Sequence, residues 1–216
     1  MSEQQIAYTH TNTYSVLNTL TRKTKNVWLV FHGMGHLSRY FIKHFEGLNK
    51  EENYIIALQA PSKYYQDRKF KYVGASWLTK ENTAIETENV LKYADAVWAE
   101  ESKKWKDQSV NVILMGYSQG VSIVTRWASS RKVQCKELLL HSGGIPTELE
   151  ATDFEYLSSD AKVTYLYGDK DEYITEARKT EEHLKGSRLF GSRLMVQVFD
   201  GVHEVYDAGI EKLIVR

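Results

Sequence analysis

Six short, nearly continuous apolar runs punctuate the chain, at 27–31, 54–58, 110–115, 136–140, 163–167 and 194–199. Runs of this length without polar alternation are what strands covered on both faces require, so they read as neighbours in a mostly parallel sheet. Longer segments with apolar residues at helical spacing lie between them. Residues 36–49 carry Leu37, Tyr40, Phe41, Phe45 and Leu48, and residues 84–105 carry Val90, Leu91, Ala94, Val97, Trp98 and Trp105. Helices are also expected at 119–131, 175–190 and 204–213. Strands alternating with helices predict βαβ units in a doubly wound sheet, with right-handed crossovers and helices on both faces. Ahead of this pattern, residues 6–17 mix β-branched and aromatic side chains around Thr11-Asn12-Thr13 and predict an antiparallel hairpin at a sheet edge. In such sheets the reactive site lies at the carboxyl ends of the strands.

Composition narrows this picture. The 216 residues are 42% hydrophobic and 26% charged, ordinary globular usage, and fit one α/β domain spanning 1–216. Lys+Arg and Asp+Glu balance at 28 each, so no overall field favours nucleic acid or an anionic membrane. The basic clusters at 22–25 and 103–106 have acidic or polar neighbours and read as solvated surface. Cys135 is the single cysteine, which excludes an intramolecular disulfide and a cysteine-rich metal site. The N-terminus lacks a signal-peptide pattern, and no apolar run approaches the ~20 residues of a membrane helix. A soluble cytoplasmic protein is expected, without membrane insertion.

One strand carries the chemistry. The run 110–115 leads into Gly116-Tyr117-Ser118-Gln119-Gly120 and then a helical segment. A strand, Gly-x-Ser-x-Gly and a helix together form the nucleophile elbow of the α/β-hydrolase fold. Gly116 and Gly120 make room for the tight turn, and the helix N-terminus favours a developing anion. The fold orders its triad as serine, acid, histidine along the chain. Of the three histidines after Ser118, His183 sits mid-helix and His141 precedes any acid candidate, whereas His203 follows the last strand. His203 is therefore the expected base. The turn after 163–167 offers Asp169, Asp171 and Glu172 as the orienting acid. The oxyanion donors are expected to be the backbone N–H groups of Met34, in His32-Gly33-Met34-Gly35, and of Gln119. His32 reads as structural. Apolar residues in loops around the serine, among them Leu37, Trp77, Ile145, Tyr173 and Ile174, are expected to bind substrate. No segment between 136 and 163 is long enough for a large helical lid, so an open groove for short to medium acyl chains is expected.

From residue 31 to 203 the chain resembles the phospholipase/carboxylesterase family, which includes the acyl-protein thioesterases. The likeness rests on His32-Gly33-Met34-Gly35, Tyr117-Ser118-Gln119-Gly120, Ser142-Gly143-Gly144-Ile145-Pro146, Gly168-Asp169-Lys170-Asp171 and Gly201-Val202-His203. The resemblance implies that Asp171 is the triad acid, with Asp169 a turn residue. It also implies that Trp77 lies in a loop beside the acyl site. Three positions depart from the family pattern: His36 replaces an acid, Gly74-Ala75 an arginine, and Leu78-Thr79 a Phe-Asp pair. The tyrosine before the serine is a phenylalanine in most members. Dienelactone hydrolases, which share the fold, carry a cysteine where Ser118 stands. The expected activity is hydrolysis of a small-molecule ester or thioester through an acyl-serine, with no cofactor and no metal, no nucleic-acid partner, and a homodimer left open. A lysophospholipase-like lipid hydrolase and a non-catalytic binding protein of the same fold are the alternatives.

Overall fold

The computed structural model describes residues 2–214. Its strands are β1 (Tyr14–Leu17), β2 (Asn26–Phe31), β3 (Asn53–Leu58), β4 (Ser62–Tyr65), β5 (Val73–Ser76), β6 (Asn111–Tyr117), β7 (Glu137–His141), β8 (Lys162–Gly168) and β9 (Leu194–Phe199). Its α-helices are α1 (Ser38–Phe41), α2 (Thr83–Glu101), α3 (Gln119–Arg131), α4 (Glu176–Phe190) and α5 (Asp207–Ile214). Seven strands form one sheet in the order β1-β3-β2-β6-β7-β8-β9, parallel throughout except for β1.

Five of the six apolar runs become the central strands for the reason their composition suggested, and the sixth becomes the less buried edge strand β9. Every residue of β2 and β3 is buried, and alternate side chains feed opposite cores. Val27, Leu29 and Phe31 join the core under α2 and α3, whereas Trp28 and Val30 join a smaller one with Phe41, Phe45 and Ile210. Burying each such side chain stabilises the fold by roughly 1.5–3 kcal/mol. At the opposite end of the sheet from the reactive loops, an asparagine ladder pins the register. Asn53 Oδ1 accepts from Asn26 Nδ2 and Trp28 Nε1, both at 3.1 Å, and Asn26 Oδ1 accepts from Asn111 Nδ2 at 3.0 Å.

Three elements differ from the pattern read in the sequence. The N-terminal segment supplies the antiparallel edge, but β1 pairs with β3, and residues 6–13 add no second strand. Ile6 and Tyr8 are exposed and give that stretch no core to pack against. The helix expected at 36–49 is a single turn, α1, that tightens into a 3₁₀ segment at Ile42–Phe45. Its apolar spacing is still used, since Leu37, Phe41, Phe45 and Leu48 are all buried. Strands β4 and β5 form a separate two-stranded hairpin that the sequence pattern does not reveal, because β4 is exposed along its whole length.

Candidate active site

The carboxyl ends of β2, β6, β8 and β9 converge on Ser118. This residue occupies the turn between β6 and α3 with φ 52° and ψ −117°, a region that side-chain-bearing residues rarely enter. Neighbouring backbone holds it there: Ser118 N–H donates to the His141 carbonyl at 2.8 Å. The flanking glycines are steric necessities. A Cβ on Gly116 would lie 2.5 Å from the Gly120 carbonyl oxygen, and one on Gly120 would lie 2.1 Å from that of Phe31. The turn thus brings α3 against the end of β2.

Ser118 Oγ is 3.0 Å from His203 Nε2, and His203 Nδ1 is 2.8 Å from Asp171 Oδ2. The Asp171 side chain is fully buried, and its Oδ1 accepts from the N–H groups of Tyr173 (2.9 Å) and Ile174 (3.2 Å). With Oδ1 held by these donors, Oδ2 is placed to accept a hydrogen bond from His203 Nδ1–H, which leaves Nε2 facing the serine as an acceptor. Asp169 instead braces the backbone. Its Oδ1 accepts from Gly201 N–H at 3.0 Å and ties the β8 turn to the histidine loop. Close approach of those two loops needs Gly168, where a Cβ would lie 2.3 Å from the Gly201 carbonyl oxygen. Of the three acids read from the sequence, Asp171 is the one that meets the imidazole.

Met34 and Gln119 flank the serine from two sides. Gln119 is the first residue of α3, so its N–H has no carbonyl within the helix to bond. Met34 follows Gly33, where a Cβ would sit 3.1 Å from Ser118 Cβ, so this loop passes close beside Ser118. The Gln119 side chain, which the Tyr117-Ser118-Gln119-Gly120 motif includes without assigning it a role, organises the site. Its Oε1 accepts from Trp77 N–H at 2.8 Å and its Nε2 donates to the Leu78 carbonyl at 2.7 Å, clamping the 76–78 loop to α3. A long polar side chain in the first turn of the helix after Ser118 is the available clue.

His32 and His141 have structural roles. His32 Nε2 accepts from Ala60 N–H, its Nδ1 reaches the Gly33 carbonyl, and burial lowers its pKa to about 4. His141 is buried with Nε2 accepting from Tyr206 N–H at 2.9 Å, and burial takes its pKa to about 3. His183 is exposed on α4. Cys135 is buried, and desolvation pushes its thiol up to about 12. Among the described residues, no group of three or more His, Cys, Asp or Glu is placed to hold a metal ion, and no helix is long and apolar enough to cross a membrane.

Of the five side chains expected to bind substrate, the structure turns four inward. Leu37, Trp77, Ile145 and Ile174 are at most 5% exposed, and Trp77 Nε1 donates to the His32 carbonyl while its ring packs on Phe31. A loop position at the strand ends does not say which way a side chain faces, and these four complete the core. Tyr173 is exposed and its ring meets that of His203 edge-on at 4.6 Å. Met34, beside Gly33, and Val202, beside His203, are also exposed. Between β7 and β8 the chain holds only the 3₁₀ turn Ala151–Phe154, with no lid.

No protein-family model matches the chain, and no curated protein sequence does. Solved structures match over nearly the whole length. A phospholipase/carboxylesterase from Dyadobacter fermentans superposes with a TM-score of 0.66 at 16% identity, over 97% of this chain and 99% of its own. Acyl-protein thioesterase 2 from Zea mays gives 0.64 at 15% identity, over 94% and 96%. The Bacillus cereus carboxylesterase gives 0.61 at 16% identity, over 94% and 91%. At these identities the likeness is one of fold. This chain has the α/β-hydrolase fold, in a lidless form similar to those esterase and thioesterase structures.

Proposed function

We propose that the chain is a serine hydrolase of carboxylic esters or thioesters, acting as one domain through an acyl-serine intermediate. The observation that carries this reading is the unbroken run of hydrogen bonds from buried Asp171 through His203 to a serine in a strained backbone conformation. His203 Nε2 takes the Ser118 proton as Oγ attacks the substrate carbonyl carbon. The carbonyl oxygen becomes an oxyanion that accepts from the Met34 and Gln119 N–H groups. Collapse expels the alcohol or thiol, which leaves with the proton from His203, and water then repeats the sequence to release the acid. The motifs read in the sequence and the fold shared with esterase and thioesterase structures support placement in the phospholipase/carboxylesterase family. Exposed Tyr173, Met34 and Val202, with the neighbouring apolar side chains committed to the core, support a shallow site for short to medium acyl chains.

Steady-state hydrolysis of p-nitrophenyl butyrate by the wild type and by Ser118→Ala tests the assignment. The expected loss of kcat is on the order of 10⁴-fold or more, with the melting temperature retained. Wild-type turnover by the alanine variant would exclude Ser118 as the nucleophile.

A further inference from the structure

Tyr117, the last residue of β6, immediately precedes the serine and is 3% exposed. Its ring is held on several sides. It stacks on Phe41 at 6.1 Å, lies against His36 at 5.6 Å, and takes the edge of His141 at 5.1 Å. The first oxyanion loop presses on it as well, since a Cβ on Gly33 would come within 2.9 Å of Tyr117 Cδ1. The remaining side of the ring faces the His203 imidazole at 5.3 Å, tilted by 32°.

The hydroxyl reaches further. Tyr117 Oη donates to the backbone carbonyl of His203 at 3.1 Å. The loop carrying His203 is held at its two shoulders by Asp169, through Gly201 N–H, and by His141, through Tyr206 N–H. At the His203 backbone carbonyl the bond to the scaffold comes from Tyr117, while Asp171 holds the imidazole. Burial raises the phenol's pKa above its ordinary value, so the hydroxyl keeps its proton as a donor.

We propose that Tyr117 is a positioning residue for the proposed base: its hydroxyl fixes the His203 backbone at the distance from which Nε2 reaches Ser118 Oγ. The inference rests on the serine-hydrolase reading and adds a residue to it. Because Tyr117 adjoins Ser118 in the same turn, one rigid residue sets both members of the proton-transfer pair. Small misplacements at such a pair are costly to rate, whereas binding of the ester does not depend on them.

The test is Tyr117→Phe, which keeps the ring and removes only the hydroxyl. Two quantities are read: kcat and KM for p-nitrophenyl butyrate, and the rate of covalent labelling by a fluorophosphonate. In labelling, Ser118 Oγ bonds to phosphorus, fluoride leaves, and His203 takes the proton. Both rates should fall together by about fivefold, the factor equivalent to one neutral hydrogen bond, with KM unchanged. Rates equal to wild type, or a rise in KM alone, would overturn the positioning role. A wild-type protein that neither labels nor turns over would instead overturn the hydrolase reading, so the two failures are distinguishable.

Discussion

Replacing Asp171 by asparagine should abolish most activity through a tautomer, and the geometry says why. Asp171 Oδ1 accepts two backbone N–H groups, from Tyr173 at 2.9 Å and Ile174 at 3.2 Å. An asparagine would keep its carbonyl oxygen on those donors, which puts its NH₂ group where Oδ2 stands, 2.8 Å from His203 Nδ1. Nδ1 would then have to accept. The imidazole proton moves to Nε2, the atom 3.0 Å from Ser118 Oγ, and the base loses the lone pair it needs. The expected drop in kcat is on the order of 10⁴-fold. Asp169→Asn is the matched control. Its Oδ1 accepts from Gly201 N–H at 3.0 Å, and an asparagine oxygen still can, so the loss should stay below about fivefold. Initial rates of p-nitrophenyl butyrate hydrolysis for the two variants give the ratio directly, with circular dichroism to verify folding. Equal and mild losses, or a larger loss at Asp169, would refute the reasoning.

Three other outcomes are expected. Stability should fall as pH drops from about 6.5, the ordinary histidine value, toward the depressed values of about 4 for His32 and about 3 for His141. Across that window the unfolded chain binds protons that the folded one excludes, at up to about 1.4 kcal/mol per pH unit for each imidazole. Urea midpoints measured from pH 7 to 4 read this slope, and a flat profile would contradict the buried neutral assignments. Gly120→Ala should destabilise by roughly 1–3 kcal/mol or prevent folding, because its Cβ would meet the Phe31 backbone oxygen at 2.1 Å and backbone cannot swing away; an unchanged urea midpoint would contradict this. In a p-nitrophenyl ester series, kcat/KM should peak at acetate to butyrate or soon after. A steady rise to palmitate would require a deep acyl tunnel and favour the lipid-hydrolase alternative.

The central sheet and the turn at Ser118 were legible because their physical demands are local in sequence. A strand buried on both faces must be apolar throughout, as in β2 and β3, and the tight turn between β6 and α3 must have glycine where Gly116 and Gly120 stand. His203 was legible from chain order and strand ends, which left Asp169, Asp171 and Glu172 open as its partner, and the family resemblance alone pointed to Asp171. What was not legible depends on direction or on distant partners. Strand β4 is exposed and has no periodic signature, and residues 6–13 have β-forming composition but nothing to pair with. Trp77 and Ile145 occupy loops at the correct end of the sheet, yet their side chains face the core. The Tyr117 hydroxyl meets a carbonyl 86 residues away, which no spacing rule reaches.

The most direct test of the account is where a fluorophosphonate bonds to the wild-type protein. Incubation with the probe, digestion and peptide mass spectrometry should find the adduct on Ser118, in the peptide containing Gly116-Tyr117-Ser118-Gln119-Gly120, at close to one label per chain. Labelling should disappear in His203→Ala, whose serine has lost its base. A folded wild-type protein that takes no label, or one that takes it on another serine, would contradict the assignment of Ser118 and with it the proposed mechanism.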